Sequence, residues 1–513
     1  MLRVLFFLGL LLAFQMQAIA EPVSMDEAVQ DYQFQDFNIA KDKFETLLKD
    51  EPKNVSIHYY LGLTYQQLKQ YDLALKHLEF AAQSDTPPEG IEKDLADLYL
   101  QSGYPEKAEP YYREAYMKKH NDGAAAMKYA SILEKLGKTS KAKVIYQTFA
   151  TQDGVYRNEA LYHLGSIYSD YGSYSLAVKS FREVSPNSAY HDGATEYIGA
   201  LEPATKASIY ISAEGFYESN PDATSSSALA GTVGAVTRVR GSMGTTIIAK
   251  LDTPKLEINE HWRLGLGYLY YGTFYNKQFA KSNNFVGHFL TPMIHWQVSP
   301  SFGVELQADL QKFNFSQQRL SDNYGGTLTL KKQITDGEVS LAISGIEKKY
   351  NEAFNSAGTV VSLAYLNATS LNSTLSISKD IGKNALNASY SFAAEKTHNT
   401  QTPTLHQKAL DSAYVQHTVA VADTIAIRES LGLLLSASFA RKDYINTQTG
   451  QAFASVANKK FHVNTTMLNT SLNYAVTDKI SMEVGAEYTK NTSIASEQAN
   501  IDKRYFMNVS GSF

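Results

Sequence analysis

The sequence of 513 residues contains no cysteine and only two tryptophans. Without cysteine the chain cannot form disulfide bonds, use a thiolate nucleophile, ligate a metal through sulfur or carry a lipid on an N-terminal cysteine. Long apolar runs are also missing after residue 20, so the sequence predicts no transmembrane helix. The net charge of −5 lacks the basic excess of nucleic-acid-binding proteins, and we therefore expect no nucleic-acid partner.

Sequence signatures of catalysis are missing too. The chain has no G-x-S-x-G, no H-E-x-x-H, no P-loop and no calcium-binding loop. Four histidines in the second half of the chain lie singly within apolar segments, a pattern more typical of hydrogen-bonding residues than of catalytic bases: His288, His295, His417 and His462. We therefore expect a protein that is not an enzyme, with no catalytic residue, no cofactor and no bound metal.

The N-terminus has the pattern of a secretory signal. Arg3 is followed by an apolar stretch, Val4–Phe14, and by the small residues Ala18 and Ala20. The sequence predicts a signal peptide over 1–20, cleaved directly after its last alanine. The alternative of a membrane anchor is less favoured, because a membrane-spanning helix needs about 20 apolar residues.

The remaining chain divides by composition into an acidic, helix-like part, 21–203, and a nearly neutral part rich in Ser, Thr, Asn, Gly and Tyr, 204–513. The first part repeats with a period of 34 residues: each unit has an alanine, a large apolar residue four positions later and a small residue twelve positions earlier. The alanines are Ala40, Ala74, Ala108, Ala142 and Ala177, the small residues include Gly62, Ala96 and Gly165, and tyrosines follow at Tyr65, Tyr99 and Tyr168. This pattern predicts pairs of short helices that pack closely at the small residues, with aromatic side chains in the groove between neighbouring units.

The repeat resembles the tetratricopeptide repeat, most clearly in HYYLGLTYQQLKQYDLALKHLEFA at 58–81. The similarity extends over five units, and a half unit that places Gly199 34 residues after Gly165 is predicted to form a capping helix. The resemblance implies an α-solenoid whose concave groove binds a protein partner.

From residue 204 the period changes to two. In 262–270 the apolar face holds Trp262, and leucines and tyrosines at every second position follow it, while arginine and glycine lie between them. Such segments predict strands with one apolar and one polar face. Tight turns are predicted at 299–301, 335–337, 379–383, 421–424 and 476–479, and longer polar connections at 219–227, 277–283, 351–357, 396–410, 442–459 and 491–500. Short connections on one side and long ones on the other are typical of outer-membrane β-barrels, and a soluble β-sandwich or propeller is the alternative.

The chain ends on RYFMNVSGSF, which places aromatic and apolar residues on one face of a last strand. This ending resembles the signal by which the barrel-assembly machinery recognises its clients, carried here by Tyr505, Val509 and Phe513. Counting strands by parity predicts 14, with 12 or 16 as alternatives, and requires one long strand at 358–379. The expected fold is multidomain α + β: a tetratricopeptide solenoid followed by a transmembrane antiparallel β-barrel.

The polar faces of the predicted strands carry charges of both signs, which we expect in the lumen: Arg263, Glu305, Asp309, Lys331, Glu483, Glu487 and Arg504. The last three lie on adjacent strands and are expected to pair with one another. Mixed signs favour a hydrated interior without ion preference, although the charges could also solvate a closed lumen. Trp296, Tyr268 and Tyr270 are predicted to belong to interfacial aromatic girdles.

Tetratricopeptide repeats followed by a C-terminal barrel resemble two export families, the surface lipoprotein assembly modifiers and the exporters of cellulose or poly-N-acetylglucosamine. The segment AEGFYESNPD at 213–222 is also similar to a segment of this barrel group. The resemblance implies export of a protein, lipoprotein or polysaccharide, with the barrel in outer-membrane lipid and the repeats binding a protein in the periplasm. An envelope scaffold anchored by its barrel and a small-solute porin are the alternatives.

Overall fold

A computed structural model of the protein describes residues 23–118, 122–219, 242–276, 284–315, 318–354, 360–362, 367–398, 413–444, 462–493 and 500–513. The predicted signal peptide and much of the predicted polar connections lie outside these residues. Two compact units are present: one comprises residues up to Ile167 with Ser180–Glu196, and the other comprises Tyr168–Lys179 with Tyr197–Phe513. None of the described helices combines the length and apolar character that a membrane crossing requires.

The described residues before the first strand form 11 α-helices, each of 9 to 14 residues, and a final 3₁₀ turn at Glu202–Thr205. The helices are α1 Met25–Gln33, α2 Phe37–Asp50, α3 Val55–Gln67, α4 Tyr71–Ala82, α5 Ile91–Gln101, α6 Pro105–Lys118, α7 Gly123–Lys135, α8 Thr139–Ala150, α9 Arg157–Asp170, α10 Tyr174–Arg182 and α11 His191–Leu201. They follow the predicted arrangement of five helix pairs and one further helix.

One residue with positive φ separates the two helices of each pair, because the chain must reverse there within a few residues. These residues recur at the repeat period: Gln35, Lys69, Gly103, Gly137 and Gly172, with φ of 66°, 59°, 82°, 69° and 68°. Only three of the five are glycine, the residue that adopts this conformation at least cost. The left-handed position is therefore a property of the repeat that its residue types only partly reveal.

The helices pack at the small residues that define the repeat. Ala40, Ala74, Ala108, Ala142 and Ala177 are completely buried. A Cβ atom built on Gly62 would lie 2.7 Å from Leu78 Cγ, and one built on Gly165 would lie 2.6 Å from the ring of Phe181. Both distances are shorter than a van der Waals contact, so these glycines allow the two helices of a pair to approach each other.

The second unit contains 14 strands that form one closed antiparallel barrel. The strands are β1 Ser208–Glu218, β2 Ser242–Asp252, β3 Trp262–Tyr275, β4 Phe285–Ser299, β5 Phe302–Phe315, β6 Gln318–Ile334, β7 Gly337–Tyr350, β8 Ala368–Ile381, β9 Asn384–Thr397, β10 Tyr414–Arg428, β11 Leu431–Tyr444, β12 His462–Ala475, β13 Ile480–Ser493 and β14 Asn500–Ser512. Each strand pairs with the next, and β1 pairs with β14. Ile209 and Phe513 exchange two backbone hydrogen bonds of 2.8 Å at this seam. The predicted fold class and strand number are confirmed.

Side chains alternate between the two faces of the barrel wall. On β14 the outward residues Tyr505, Met507 and Val509 are 54%, 49% and 44% exposed. Arg504 and Asn508, at the alternate positions, point inward and are less exposed. Large apolar side chains are exposed in the same alternating way on the other strands. The outer surface of the barrel is therefore apolar and its inner surface polar, as the period of two predicts.

Two details of the predicted topology are wrong. Residues 421–424 lie within β10, and the turn falls at 429–430, because the apolar alternation of this strand continues to Ile427 through small and polar residues. The described residues of 358–379 do not form one strand of the barrel: Val360–Ser362 pair with Glu352–Phe354 in a separate two-stranded sheet, and β8 begins at Ala368. The connections also alternate less regularly than predicted, since only two residues separate β5 from β6 on the side of the long connections.

Candidate functional site

A cavity of the second unit has a volume of ≈ 770 Å³ and lies at the end of the lumen where the tight turns are found. Residues of the segment Tyr168–Lys179 line one part of it, and residues from the 3₁₀ turn through β1 to β7 line the rest. The charged side chains of the cavity include Lys250, Lys255, Arg263, Lys331 and Glu257. This end of the lumen therefore contains both signs of charge, as predicted for the interior.

Arg263 links β3 to the segment Tyr168–Lys179. Its guanidinium is buried, and Nη1 donates to the carbonyl oxygen of Tyr171 and, at 3.5 Å, to Ser173 Oγ, while Nη2 donates to Gln297 Oε1 at 3.0 Å. A Cβ atom on Gly172, which has φ of +68°, would lie 3.1 Å from Nη1. Arg263 thus binds backbone and neutral side-chain acceptors, a role that the sequence prediction of a lumen charge did not specify.

Glu257 makes the second connection to this segment. Its Oε1 accepts from the backbone N–H of Ser175 at 2.9 Å, and its Oε2 accepts from that of Leu176 at 3.0 Å. Both N–H groups belong to the first turn of α10, which has no acidic residue of its own. A carboxylate at this position accepts from two N–H groups at the start of the helix and interacts favourably with the positive end of the helix dipole. The role of Glu257 could not be predicted from the sequence, because Leu176 lies 81 residues away.

Glu305, Lys331 and His295 form one polar network in the lumen. Glu305 Oε2 lies 3.6 Å from Lys331 Nζ and 3.7 Å from His295 Nδ1, and His295 Nε2 lies 2.8 Å from Gln297 Oε1. Asp309 is buried nearby along β5 and accepts from Thr327 Oγ1 at 2.6 Å. The histidine is thus held between a carboxylate and an amide and lies next to no serine or other nucleophile in these contacts.

The charged residues of the last strands are arranged differently from the prediction. Arg504 forms its ion pair with Glu214 of β1, and its guanidinium lies 4.2 Å from the centre of the Phe216 ring. Glu483 accepts instead from Ser471 Oγ, and Glu487 accepts from Thr489 Oγ1 at 3.3 Å. The partner of Arg504 lies on β1, the strand that closes the barrel. It could not be identified from the inward-facing residues of the last two strands.

Aromatic residues mark the outer surface. Trp262 and Trp296 stack with ring centres 5.5 Å apart on the outward face of β3 and β4, close to the tight turns. Tyr268 and Tyr270 lie on the same face, further from the turns. Phe513 follows Val509 and Tyr505 on the outward face of β14 and is itself exposed.

The helical unit has a recurring polar contact of its own. The hydroxyls of Tyr65 and Tyr99, both nearly buried, donate to the carboxylates of Glu45 and Glu79, so this contact recurs at the repeat period. Burial and the adjacent carboxylate raise the pKa of both tyrosines well above its usual value, which keeps each hydroxyl protonated as a donor. Of the other predicted packing residues, Ala96 is completely buried and Tyr168 is half-buried.

Metal binding has no visible basis in the part of the chain that the structure describes, where no group of three or more potential ligands is present.

Comparisons with known proteins address the two parts of the chain separately. Residues 25–87 match one family model described as tetratricopeptide repeat, and residues 94–117 and 159–185 match another with the same description. No curated protein matches the sequence.

Similar solved structures include OmpT, an outer membrane protein of Vibrio cholerae, with a TM-score of 0.36 and 9% identity over 60% of this chain and 97% of that chain. YrrB, a TPR protein with an unusual peptide-binding site, has a TM-score of 0.31 and 18% identity over 34% of this chain and 90% of its own. MamA has a TM-score of 0.29 and 21% identity over 35% of this chain and 99% of its own. The chain thus combines tetratricopeptide repeats with a closed 14-stranded antiparallel β-barrel.

Proposed function

We propose that the protein is an outer-membrane conduit that exports a polymer, with its tetratricopeptide repeats in the periplasm. The observation that supports this proposal most directly is the union, in one chain, of repeats that bind proteins and a closed barrel with a polar lumen. The repeats would bind the client or the protein that delivers it, and the barrel would let the client pass. The client belongs to one of two classes, a protein or lipoprotein, or a polysaccharide.

The barrel surface supports a membrane location. Most strands have 13 to 15 residues, for example 14 in β3 and 15 in β4, which exceeds the roughly 9–11 residues needed to cross a bilayer. Closure of β1 on β14 leaves no strand edge with unpaired backbone groups in the hydrocarbon. The short turns would face the periplasm, together with the N-terminal repeats and the end of β14.

The contacts of Arg263 and Glu257 favour a regulated conduit over a porin that is always open. They hold the segment Tyr168–Lys179 against the end of the lumen that would face the periplasm. An envelope scaffold whose barrel serves only as an anchor is the second candidate, and the same contacts are compatible with it. Neither candidate requires catalysis, and we propose that the protein is not an enzyme.

Conductance of the full-length protein in planar lipid bilayers tests these proposals. We expect low conductance from the wild type and clearly higher conductance from Arg263→Ala, because that variant loses the hydrogen bonds to Tyr171 and Ser173. Arg428→Ala removes an exposed arginine at the same end of the barrel and should leave the conductance low. A porin would conduct strongly without any substitution, and a scaffold with a blocked lumen would stay silent in both variants.

A further inference from the structure

A group of four side chains occurs twice on the outward face of the barrel, at equivalent positions of β3–β5 and β9–β11. In the first copy, the hydroxyl of Tyr268 lies 2.8 Å from His288 Nδ1. Tyr270 is directly opposite His288 with ring centres 5.4 Å apart at 64°, and Lys312 is directly opposite His288 on the other side. Since residues opposite each other in a sheet share a face, all four lie outside the barrel.

The second copy has the same geometry. The hydroxyl of Tyr390 lies 2.7 Å from His417 Nδ1, Phe392 is directly opposite His417 with ring centres 5.4 Å apart at 61°, and Arg441 is opposite it on the next strand. Tyr268 and Tyr390 are both the seventh residue of a 14-residue strand, and each histidine is the fourth residue of a 15-residue strand. The same arrangement therefore occurs twice, six strands apart. In a general aromatic girdle the aromatic residues are scattered and do not repeat a fixed set of contacts.

The histidine and the basic residue of each group lie near the depth of lipid headgroups. A strand of 15 residues leaves roughly two or three residues beyond the hydrocarbon at each end, and each histidine is three residues from the start of its strand at the side of the long connections. The tyrosines extend the group toward the hydrocarbon, and the basic residue lies at the level of the histidine. A ligand here would be a membrane lipid, approached by its headgroup and the beginning of its acyl chains.

The hydrogen-bond donors at each site indicate which kind of lipid headgroup it would bind. Whichever of the histidine and tyrosine donates in their hydrogen bond, one N–H or O–H of the pair is left to donate outward. Lys312 and Arg441 are exposed cations beside it. Asp443 binds Arg441 through Nε and one Nη, and Asp322, opposite Lys312, is paired with Arg319, so each site retains free donors and is not dominated by acid. The hydrogen-bond donors and the cation can bind a phosphate group, and the adjacent aromatic ring can pack against the apolar part of the same ligand.

We propose that these two groups are binding sites for the phosphate of membrane lipids in the leaflet on the side of the long connections. The inference rests on the proposed membrane location of the barrel, but not on the export of a polymer. The histidine–tyrosine pair and the basic residue bind the phosphate, and the second aromatic residue packs against the lipid below it. The twofold occurrence predicts two such lipids per chain.

Native mass spectrometry of the full-length protein, with phosphatidic acid and phosphatidylcholine of the same acyl chains as probes, tests this proposal. We expect two molecules of phosphatidic acid to bind more tightly than phosphatidylcholine, and the double variant Lys312→Gln/Arg441→Gln to lose about tenfold in affinity at each site, the loss expected from a hydrogen bond to a charged group. Lys490→Gln/Lys503→Gln is the matched control, because it removes two exposed outward cations at the same end of the barrel that have no histidine–tyrosine pair beside them. We expect the control to change the affinity by about twofold or less.

Equal loss in both double variants, or equal binding of the two lipids, would overturn the proposal in favour of a general charge or hydrophobic effect. Displacement of phosphatidic acid by millimolar inorganic phosphate would also overturn it, since the sites would then bind a free anion and not a lipid. Heat-dependent migration of the same preparations on gels is the separate test of the barrel. A barrel that is folded in lipid but shows no lipid preference contradicts only this inference, whereas failure to insert contradicts the proposed membrane location as well.

Discussion

Gly165 illustrates how a single residue fixes the packing of the helical unit. A Cβ atom at this position would lie 2.6 Å from two carbons of the Phe181 ring, and that ring is itself buried and cannot move aside freely. Alanine stabilises a helix interior by up to about 1 kcal/mol relative to glycine, so propensity alone predicts a gain from Gly165→Ala. Overpacking of a filled core costs about 1–3 kcal/mol, and we expect this cost to exceed the gain.

The prediction is that Gly165→Ala lowers the melting temperature of the helical signal of the full-length protein, measured by circular dichroism at 222 nm. Gly199→Ala is the matched control, because Gly199 is also helical but has no heavy atom within 4 Å of an added Cβ. It should leave the melting temperature unchanged or raise it. Equal melting temperatures in both variants would mean that Gly165 does not limit the approach of the helices.

The small residues of the repeat could be predicted from the sequence because they recur 34 residues apart and face only their own neighbours in the solenoid. The hydroxyls of Tyr65 and Tyr99 could not be assigned partners in the same way. Glu45 and Glu79 also lie 34 residues apart, but this spacing does not indicate which side chain each glutamate contacts. Packing leaves a periodic pattern in residue size, whereas a hydrogen bond also depends on the direction of two side chains.

At the scale of elements, the first turn of α10 depends on a carboxylate from the connection between β2 and β3. Glu257 uses both oxygens, so Glu257→Gln would leave one of the two N–H groups facing an amide that cannot accept. We expect the amide hydrogens of Ser175 and Leu176 to exchange up to about tenfold faster in this variant, the effect of losing one charge-assisted hydrogen bond. Hydrogen–deuterium exchange of peptides that cover Tyr174–Arg182 in the full-length protein measures this change.

Glu338→Gln is the control for that experiment, because Glu338 lines the same cavity but binds Gln333 and not the helix. Its exchange pattern over α10 should match that of the wild type. If Glu257→Gln also matched the wild type, the carboxylate would have no effect on the start of this helix. The proposed hold on the segment Tyr168–Lys179 would then rest on the other contacts, those of Arg263 and the hydrogen bond from Ser173 Oγ to the carbonyl oxygen of Glu260.

Strand ends were harder to predict than strand existence. The alternation in β10 runs through Val421, Ala422, Asp423 and Thr424, and the composition of these residues also fits a turn. Pairing decides between the two readings: Val421 lies opposite Ala437 on β11 and Ala388 on β9, within an unbroken register. Information from neighbouring strands is absent from a local pattern, and the same reason explains why β8 begins ten residues later than predicted.

At the scale of the whole molecule, the number of strands was predictable because each end of the barrel imposes a parity on the chain. The first strand begins and the last strand ends on the side of the tight turns, which requires an even number. The partner of Arg504 was not predictable, because the seam joins residues nearly 300 positions apart: Arg504 and Glu214 are separated by 290 residues. Lumen contacts across the seam between β1 and β14 therefore depend on closure of the barrel and cannot be predicted from each strand separately.

Closure itself can be tested by a disulfide across the seam, and the cysteine-free chain gives this experiment a clean background. Tyr210 is opposite Ser512, next to the hydrogen-bonded pair of Ile209 and Phe513, so it belongs to a pair without backbone hydrogen bonds between its members. Such pairs have Cα atoms about 4.5 Å apart, within the range that a disulfide spans. We expect Tyr210→Cys/Ser512→Cys to form a crosslink on mild oxidation that changes the mobility of the denatured chain on a gel until a reductant is added.

The control pair is Tyr210→Cys/Asn508→Cys, which shares the face but is displaced by four residues along β14. At about 3.3 Å per residue its Cα atoms are more than 10 Å apart, beyond the reach of a disulfide. Crosslinking of the first pair alone requires both closure and this register, since an open sheet would place β1 and β14 on opposite edges. Crosslinking of both pairs would indicate a seam that slips, and crosslinking of neither would indicate a sheet that does not close, in which case the lumen and the transport proposed for it would both be lost.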